Sequence, residues 1–310
     1  MIKDSEIESW KANGTYVSTT KAGGLKVFTR EVGNASASPD KTLLLLHGFP
    51  ESSFSYHLVL AGLAEHFERT ILLDFPGFGF SDKPQKGYAY TLLNQADVAL
   101  EVWKHYGVTG GHLLAHDMGD SVATELVARE VENSLPDWFS DGFQTYTLTN
   151  GSMVLGLADL RITQKLLLTP LGPLLSKLIS EKLFFHQLKS ANGDAPLDDV
   201  EVGRLWEMNI QNEGRKVSHL TIKYLLDRKR YETPRWLPAL SKTNIPIHLC
   251  WGNKDNVARV EMVHYLKKEV CPQAQLSIME DTGHFGQLGS PETWLQSVLA
   301  FYKKEARQGR

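Results

Sequence analysis

The sequence predicts an α/β fold: a mostly parallel sheet with helices on both faces and a helical block inserted into it. Three observations carry that prediction. Short apolar runs alternate with helix-patterned segments up to Asn150. The alternation then stops, and Ser152 to about Leu240 reads almost wholly helical, with leucine periodicity and several prolines. Strand character resumes at Ile245, and a strand, helix, strand, helix series closes the chain. Continuous apolar strands are covered on both faces, which is the habit of parallel sheets.

Taken in order, Gly33 to Pro39 is a polar surface turn. Thr42 to Leu46 is an apolar run ending at His47-Gly48, and Thr70 to Leu73 is another ending at Asp74. Leu92 to Tyr106 has helical spacing. Gly111 to Ala115 is a third strand, followed by a helix from Met118 to about Arg129, and Thr145 to Thr149 is a fourth strand. After the helical block, Ile245 to Trp251 reads as strand, Val257 to Val270 as helix, Gln275 to Met279 as strand and Trp294 to Ala306 as a closing amphipathic helix. The organisation is therefore a core in two parts, 1–151 and 241–310, with a helical cap at 152–240. Two independent domains in series are the competing arrangement, but the closing strand–helix–strand unit needs a parent sheet to join.

The 310 residues are 42% hydrophobic and 22% charged with a net charge of −3, an ordinary balance for a globular chain. A nucleic-acid binder would carry a basic surplus. The basic clusters Arg228-Lys229-Arg230 and Lys303-Lys304 to Arg310 read as a solvated helix face and a fraying terminus. Cys250 and Cys271 cannot make a disulfide framework, and Met1 to Trp10 has no apolar core of a signal peptide. Both point to a reduced, cytoplasmic setting. The greasiest stretch, Leu166 to Phe185, is broken by Lys165, Lys177, Glu181, Lys182, Pro170 and Pro173. It reads as amphipathic helices lying on a core rather than a membrane span. The histidines have no metal-ligand spacing, so neither metal nor cofactor is predicted.

The chemistry concentrates at Leu113-Leu114-Ala115-His116-Asp117-Met118-Gly119. An apolar strand runs into small-x-Asp-x-small, and a helix starts at once. That is the pattern of a nucleophile elbow, whose turn is so tight that the flanking positions must be small. It lifts the middle side chain to the top of the sheet, beside the first free N–H groups of the helix. A carboxylate is already ionised at neutral pH and can displace a leaving group from an sp³ carbon. The plainer role for Asp117 is a helix N-cap, where Asp is favoured.

Three further features weigh against the plain role. His47-Gly48-Phe49-Pro50 follows the Leu43 to Leu46 run, so the N–H of Phe49, with that of Met118, is placed to form an oxyanion hole. Asp255 follows the late strand, and His284 follows the last one. The order nucleophile, acid, histidine then gives Asp117 as nucleophile, His284 as the base for water and Asp255 as its orienting partner.

On these residues, together with Leu73-Asp74-Phe75-Pro76-Gly77-Phe78-Gly79-Phe80-Ser81-Asp82-Lys83-Pro84, the sequence resembles the α/β-hydrolase group that contains epoxide hydrolases and haloalkane dehalogenases. The resemblance covers essentially the whole chain. Phe78 to Pro84 and Gly119-Asp120-Ser121-Val122-Ala123 look most like the mesoderm-specific transcript subfamily, which is epoxide-hydrolase-like. The resemblance implies an eight-stranded sheet, an inserted cap and an Asp-alkyl ester intermediate. It also implies a leaving-group acid in the cap. Tyr224, in Lys223-Tyr224 to Arg230, resembles the segment carrying one epoxide-hydrolase tyrosine, although a core tyrosine with a satisfied hydroxyl is the competing role. A second cap tyrosine is missing between Ser152 and His219. Dehalogenases hold halide with N–H side chains at positions filled here by Phe49 and Met118, which counts against that chemistry.

The sequence thus predicts epoxide opening to a vicinal diol, with haloalkane dehalogenation as the alternative. A serine esterase using Ser121 and a non-catalytic member of the fold are further alternatives. Trp206, Met208 and Trp236, along with His47, His116 and Phe285, are candidate pocket walls. The expected partners are a small apolar substrate and water, with no nucleic acid and no membrane span, for a monomer or homodimer.

Overall fold

The computed structural model describes residues 4–20 and 23–308. The N-terminal reading over Met1–Lys3 and the end of the basic tail at Arg310 lie outside the described residues. Eight strands form one sheet in the order β1-β2-β4-β3-β5-β6-β7-β8. They are β1 Thr15–Thr19, β2 Leu25–Gly33, β3 Thr42–Leu46, β4 Arg69–Leu73, β5 Gly110–His116, β6 Gly142–Thr149, β7 Ile247–Gly252 and β8 Gln275–Met279. From β4 to β8 every pairing is parallel, while β1 and β2 join antiparallel at one edge.

The central strands bury both faces. Leu44 and Leu46 enter the core beneath the Leu92–His105 and Met118–Val131 helices, with Trp103, Val122 and Leu126. Leu43 and Leu45 point the other way, into the core under the Pro291–Gln308 helix, with Trp294, Val298 and Phe301. That is the period-two alternation of a strand with a helix layer on each side.

Between β6 and β7 the chain runs through a series of helices, among them Ile162–Leu167, Gly172–Leu178, Glu181–Asn192, Asp199–Ile210 and Tyr224–Tyr231. They tie down at named points. The carboxylate of Asp227 accepts from Leu92 N at 2.8 Å, capping the Leu92–His105 helix from outside. Glu125, 1% exposed, accepts from Arg129 Nε at 2.9 Å, Arg235 Nε at 2.9 Å and Trp236 Nε1 at 2.9 Å. Trp236 is therefore an anchor between helix layers.

Two expectations from the sequence are corrected here. Arg228 does not lie on a solvated face: it is 0% exposed, turned inward on its helix, while Lys229 and Arg230 are exposed. The Leu166 to Phe185 stretch does not simply lay its leucines on a core, because Leu166, Leu171, Leu174, Leu178 and Leu183 stand in solvent.

Candidate active site

Strand β5 stops at His116, and the next helix starts at Met118. The residue between, Asp117, takes φ 46° and ψ −107°. A non-glycine residue held there costs on the order of 1–3 kcal/mol, which the surrounding packing has to offset. Gly119 shows why the turn tolerates nothing larger: a Cβ there would lie 2.7 Å from Leu46 O and 2.8 Å from His47 O. Asp117 holds the N-cap position, yet its side chain accepts no cap hydrogen bond from the helix. Its Oδ2 instead accepts from Phe49 N at 3.0 Å. Oδ1 has longer contacts, to Ser152 Oγ at 3.4 Å and Arg228 Nη2 at 3.7 Å.

His284 and Asp255 meet from the ends of β8 and β7. His284 Nδ1 is 2.7 Å from Asp255 Oδ2. Asp255 Oδ1 accepts from Val257 N at 2.6 Å and Ala258 N at 2.9 Å, and Oδ2 also accepts from Asn150 Nδ2 at 2.7 Å. Burial alone would raise the Asp255 carboxyl, but His284 and these donors outweigh it and hold it below its ordinary value. For His284 burial disfavours the cation, yet Asp255, Asp117 and Glu51 win and lift its pKa to about 9. The loop carrying His284 is seated on the end of the Glu181–Asn192 helix, whose Asn192 Oδ1 accepts from Phe285 N at 3.0 Å.

Asp117 and His284 face one cavity that is partly open to solvent. Phe49 and Phe285 line it as well, and apolar Leu167 and Phe184 come from the helical insert. The remaining sequence candidates lie elsewhere. His47 is structural: its Nε2 accepts from Phe75 N at 3.0 Å, joining the ends of β3 and β4, and burial depresses its basicity. His116 lies under the elbow, with Nδ1 3.0 Å from Thr149 O and Nε2 3.0 Å from Glu51 Oε1. Met118 is buried at the first helical position. Met208 is buried in the core rather than in the cavity wall. Trp206 packs against Phe184 with ring centroids 5.3 Å apart, and neither it nor Trp236 is among the side chains lining the cavity.

Tyr224 is buried beside the site, its ring 5.6 Å from that of Phe49. Burial and the charge of Asp117 raise its pKa, against hydrogen bonds from the Arg228 and Gln164 side chains, so it stays protonated. Tyr224 is not among the side chains lining the cavity. Gln164 itself lines the cavity.

Sequence reasoning missed three groups. Arg228 sits over the Tyr224 ring at 4.6 Å and donates from Nη2 to Asp117 O at 3.1 Å. Its spacing of four residues from Tyr224 on one helix was the available signal. Asn150 ends β6 as Asp117 ends β5, a strand-end position that marks site residues in parallel sheets. Glu51 is held ionised despite burial, chiefly by His116, and accepts from Gln287 Nε2 at 3.3 Å. Its signal was its place directly after the His47-Gly48-Phe49-Pro50 run. Asp120, one turn beyond Asp117, behaves oppositely. Burial first, and then repulsion from Asp117, push its carboxyl well above the ordinary range.

Residues 41–291 match the family model described as alpha/beta hydrolase fold. The chain is 34% identical over 295 residues to the putative hydrolase LipZ of Mycobacterium tuberculosis, covering 95% of this chain and 97% of that one. It is 32% identical over 301 residues to the mesoderm-specific transcript protein of Mus musculus, covering 95% and 87%. Among solved structures, a putative aryl esterase from Burkholderia cenocepacia superposes with TM-score 0.74 at 18% identity over 95% of this chain and 99% of that one. A haloalkane dehalogenase DbeA variant from Bradyrhizobium elkanii superposes with TM-score 0.73 at 18% identity, covering 96% and 98%. At that identity the likeness speaks to the fold, and the chemistry has to be argued from the site.

Proposed function

We propose, from the premise that this chain belongs to the α/β hydrolase fold family, that it opens a small apolar epoxide to a vicinal diol through an ester on Asp117. The observation that carries this reading is the Asp117 carboxylate at the elbow. Phe49 N–H holds Oδ2, Oδ1 is less tightly engaged, and both share a cavity with His284.

In the first step Oδ1 attacks a ring carbon, and the C–O bond breaks with its electron pair going to oxygen. Tyr224 supplies the proton to that oxygen. The Tyr224 ring lies 5.6 Å from that of Phe49 beside the cavity, and the Arg228 cation over it steadies the phenolate. In the second step His284 takes a proton from water, whose oxygen adds to the ester carbon of Asp117. The oxyanion forms at Oδ2, where the Phe49 N–H already points. Collapse releases the alkoxide, which takes the proton of the regenerated carboxyl. The proton held by His284 returns through solvent to Tyr224. One hydroxyl oxygen of the diol thus comes from Asp117.

The electrostatics suit this order. Asp117 is one of the anions that hold the proton on His284. Forming the ester removes that charge, so His284 gives up its proton more readily when a base is needed. The dehalogenase reading lacks a halide cradle, because neither Phe49 nor Met118 carries a side-chain N–H. The serine reading places Ser121 in a helix where its Oγ accepts from Arg228 Nε at 2.8 Å, away from the lining of the cavity.

The test is a trapped intermediate. His284→Gln, mixed with styrene oxide, should accumulate an adduct of one epoxide mass, mapped to Asp117 by peptide mass spectrometry. A panel of epoxides and haloalkanes that leaves no adduct, or one that maps to Ser121, overturns the reading.

A further inference from the structure

We propose that the Ile162–Leu167 and Gly172–Leu178 helices dock this chain onto the surface of an anionic lipid bilayer. The inference is independent of the chemistry at Asp117. Monomeric proteins scatter exposed leucines singly, and contiguous apolar patches with a polar rim mark interaction surfaces. Here Ile162 is 76% exposed, Leu178 65%, Leu171 63%, Leu174 59% and Leu166 44%. Ile162 and Leu166 are one turn apart on one helix, while Leu171, Leu174 and Leu178 follow the same turn spacing along the other. The two helices pack on each other, which makes their exposed apolar side chains neighbours on the surface.

The rim says what covers it. Lys165, Lys177, Lys182, Arg215 and Lys223 are exposed around these helices, against Glu181 and Glu213, the latter paired with Lys216. Arg215 Nη1 donates to Ile179 O at 3.2 Å, and burial first, then Lys223 and Lys177, depress the basicity of His219, which packs against Gly172. A local basic excess stands out on a chain whose net charge is −3. Apolar side chains ringed by cations match the acyl boundary and headgroups of an anionic membrane. A twofold contact between copies would instead bring the same cations face to face. Among the described residues no helix is long and apolar enough to cross a membrane, so the contact is peripheral. The position has a use: Gln164 and Leu167, on the first of these helices, line the cavity that holds Asp117. An apolar substrate partitioned into lipid would be delivered at the cavity mouth.

Vesicle co-sedimentation tests this with the full chain. Equimolar phosphatidylcholine and phosphatidylserine vesicles should sediment the protein, and high salt should release much of it. Leu174→Glu with Leu178→Glu should lower the bound fraction about tenfold or more while circular dichroism stays unchanged. Lys177→Glu with Lys182→Glu should weaken binding at low salt. No sedimentation with these vesicles overturns the proposal, and so does sedimentation that both double variants leave intact. A stable dimer that Leu174→Glu with Leu178→Glu splits, in a protein that ignores vesicles, also overturns it and assigns the patch to self-association.

Discussion

Asp117 combines a strained backbone at φ 46° with a carboxylate that caps nothing in its own helix. A helix cap would have been satisfied locally, so the strain is explained by what the side chain faces. Asp117→Asn keeps the hydrogen bond geometry and tolerates positive φ, so it should fold normally. Its turnover should fall by about 10³-fold or more, read by product formation at saturating epoxide. Tyr224→Phe should slow ester formation by roughly a hundredfold in single-turnover measurements, because a positioned donor is lost. His284 yields a prediction about stability. Its pKa rises from an ordinary 6.5 to about 9 on folding. The proton it gains therefore stabilises the folded chain fully below about 6.5, and that contribution fades as pH rises through about 9. The stability gap between the native chain and His284→Gln, from urea melts, should be widest at about pH 6 and narrow towards about pH 10. A gap that stays flat with pH contradicts the ion pair with Asp255.

At the scale of elements, the Met118–Val131 helix is the hinge of the account, since its start forms the elbow and its middle holds the helical insert. Glu125 takes hydrogen bonds from Arg129, Arg235 and Trp236 while almost fully buried. Glu125→Ala strips the acceptor from buried Trp236 Nε1, while Arg129 keeps Asp97 and Arg235 keeps Glu132, and should cost about 2 kcal/mol in a denaturant titration. The sequence made β3 to β7 legible because both faces of these strands are covered, so apolar runs such as Leu43 to Leu46 are uninterrupted. It hid β1 and β2 because these two strands are half exposed. Lys26, Arg30 and Glu31 interrupt β2, and the apolar signal is diluted. In the site, Asp117, Asp255 and His284 stood out as unexpected residue types at strand ends. Arg228 did not, because arginine beside Lys229 and Arg230 reads as surface until the helix is rotated against its neighbours. The exposed leucines failed for the same reason: leucine periodicity says which residues share a face, not whether that face meets protein.

At the scale of the whole molecule, a sheet built from the chain's two ends brings Asp117, Asp255 and His284 together, and the helices between β6 and β7 close the cavity over them. The proposed reaction gives every oxygen a distinct path. A single turnover of a chiral aryl epoxide by excess enzyme in ¹⁸O-enriched water tests it most directly. The account predicts unlabelled diol from that first turnover, with ¹⁸O appearing in the Asp117 carboxylate. Label carried straight into the diol, with Asp117 unlabelled, would mean that water attacks the substrate directly and would contradict the ester.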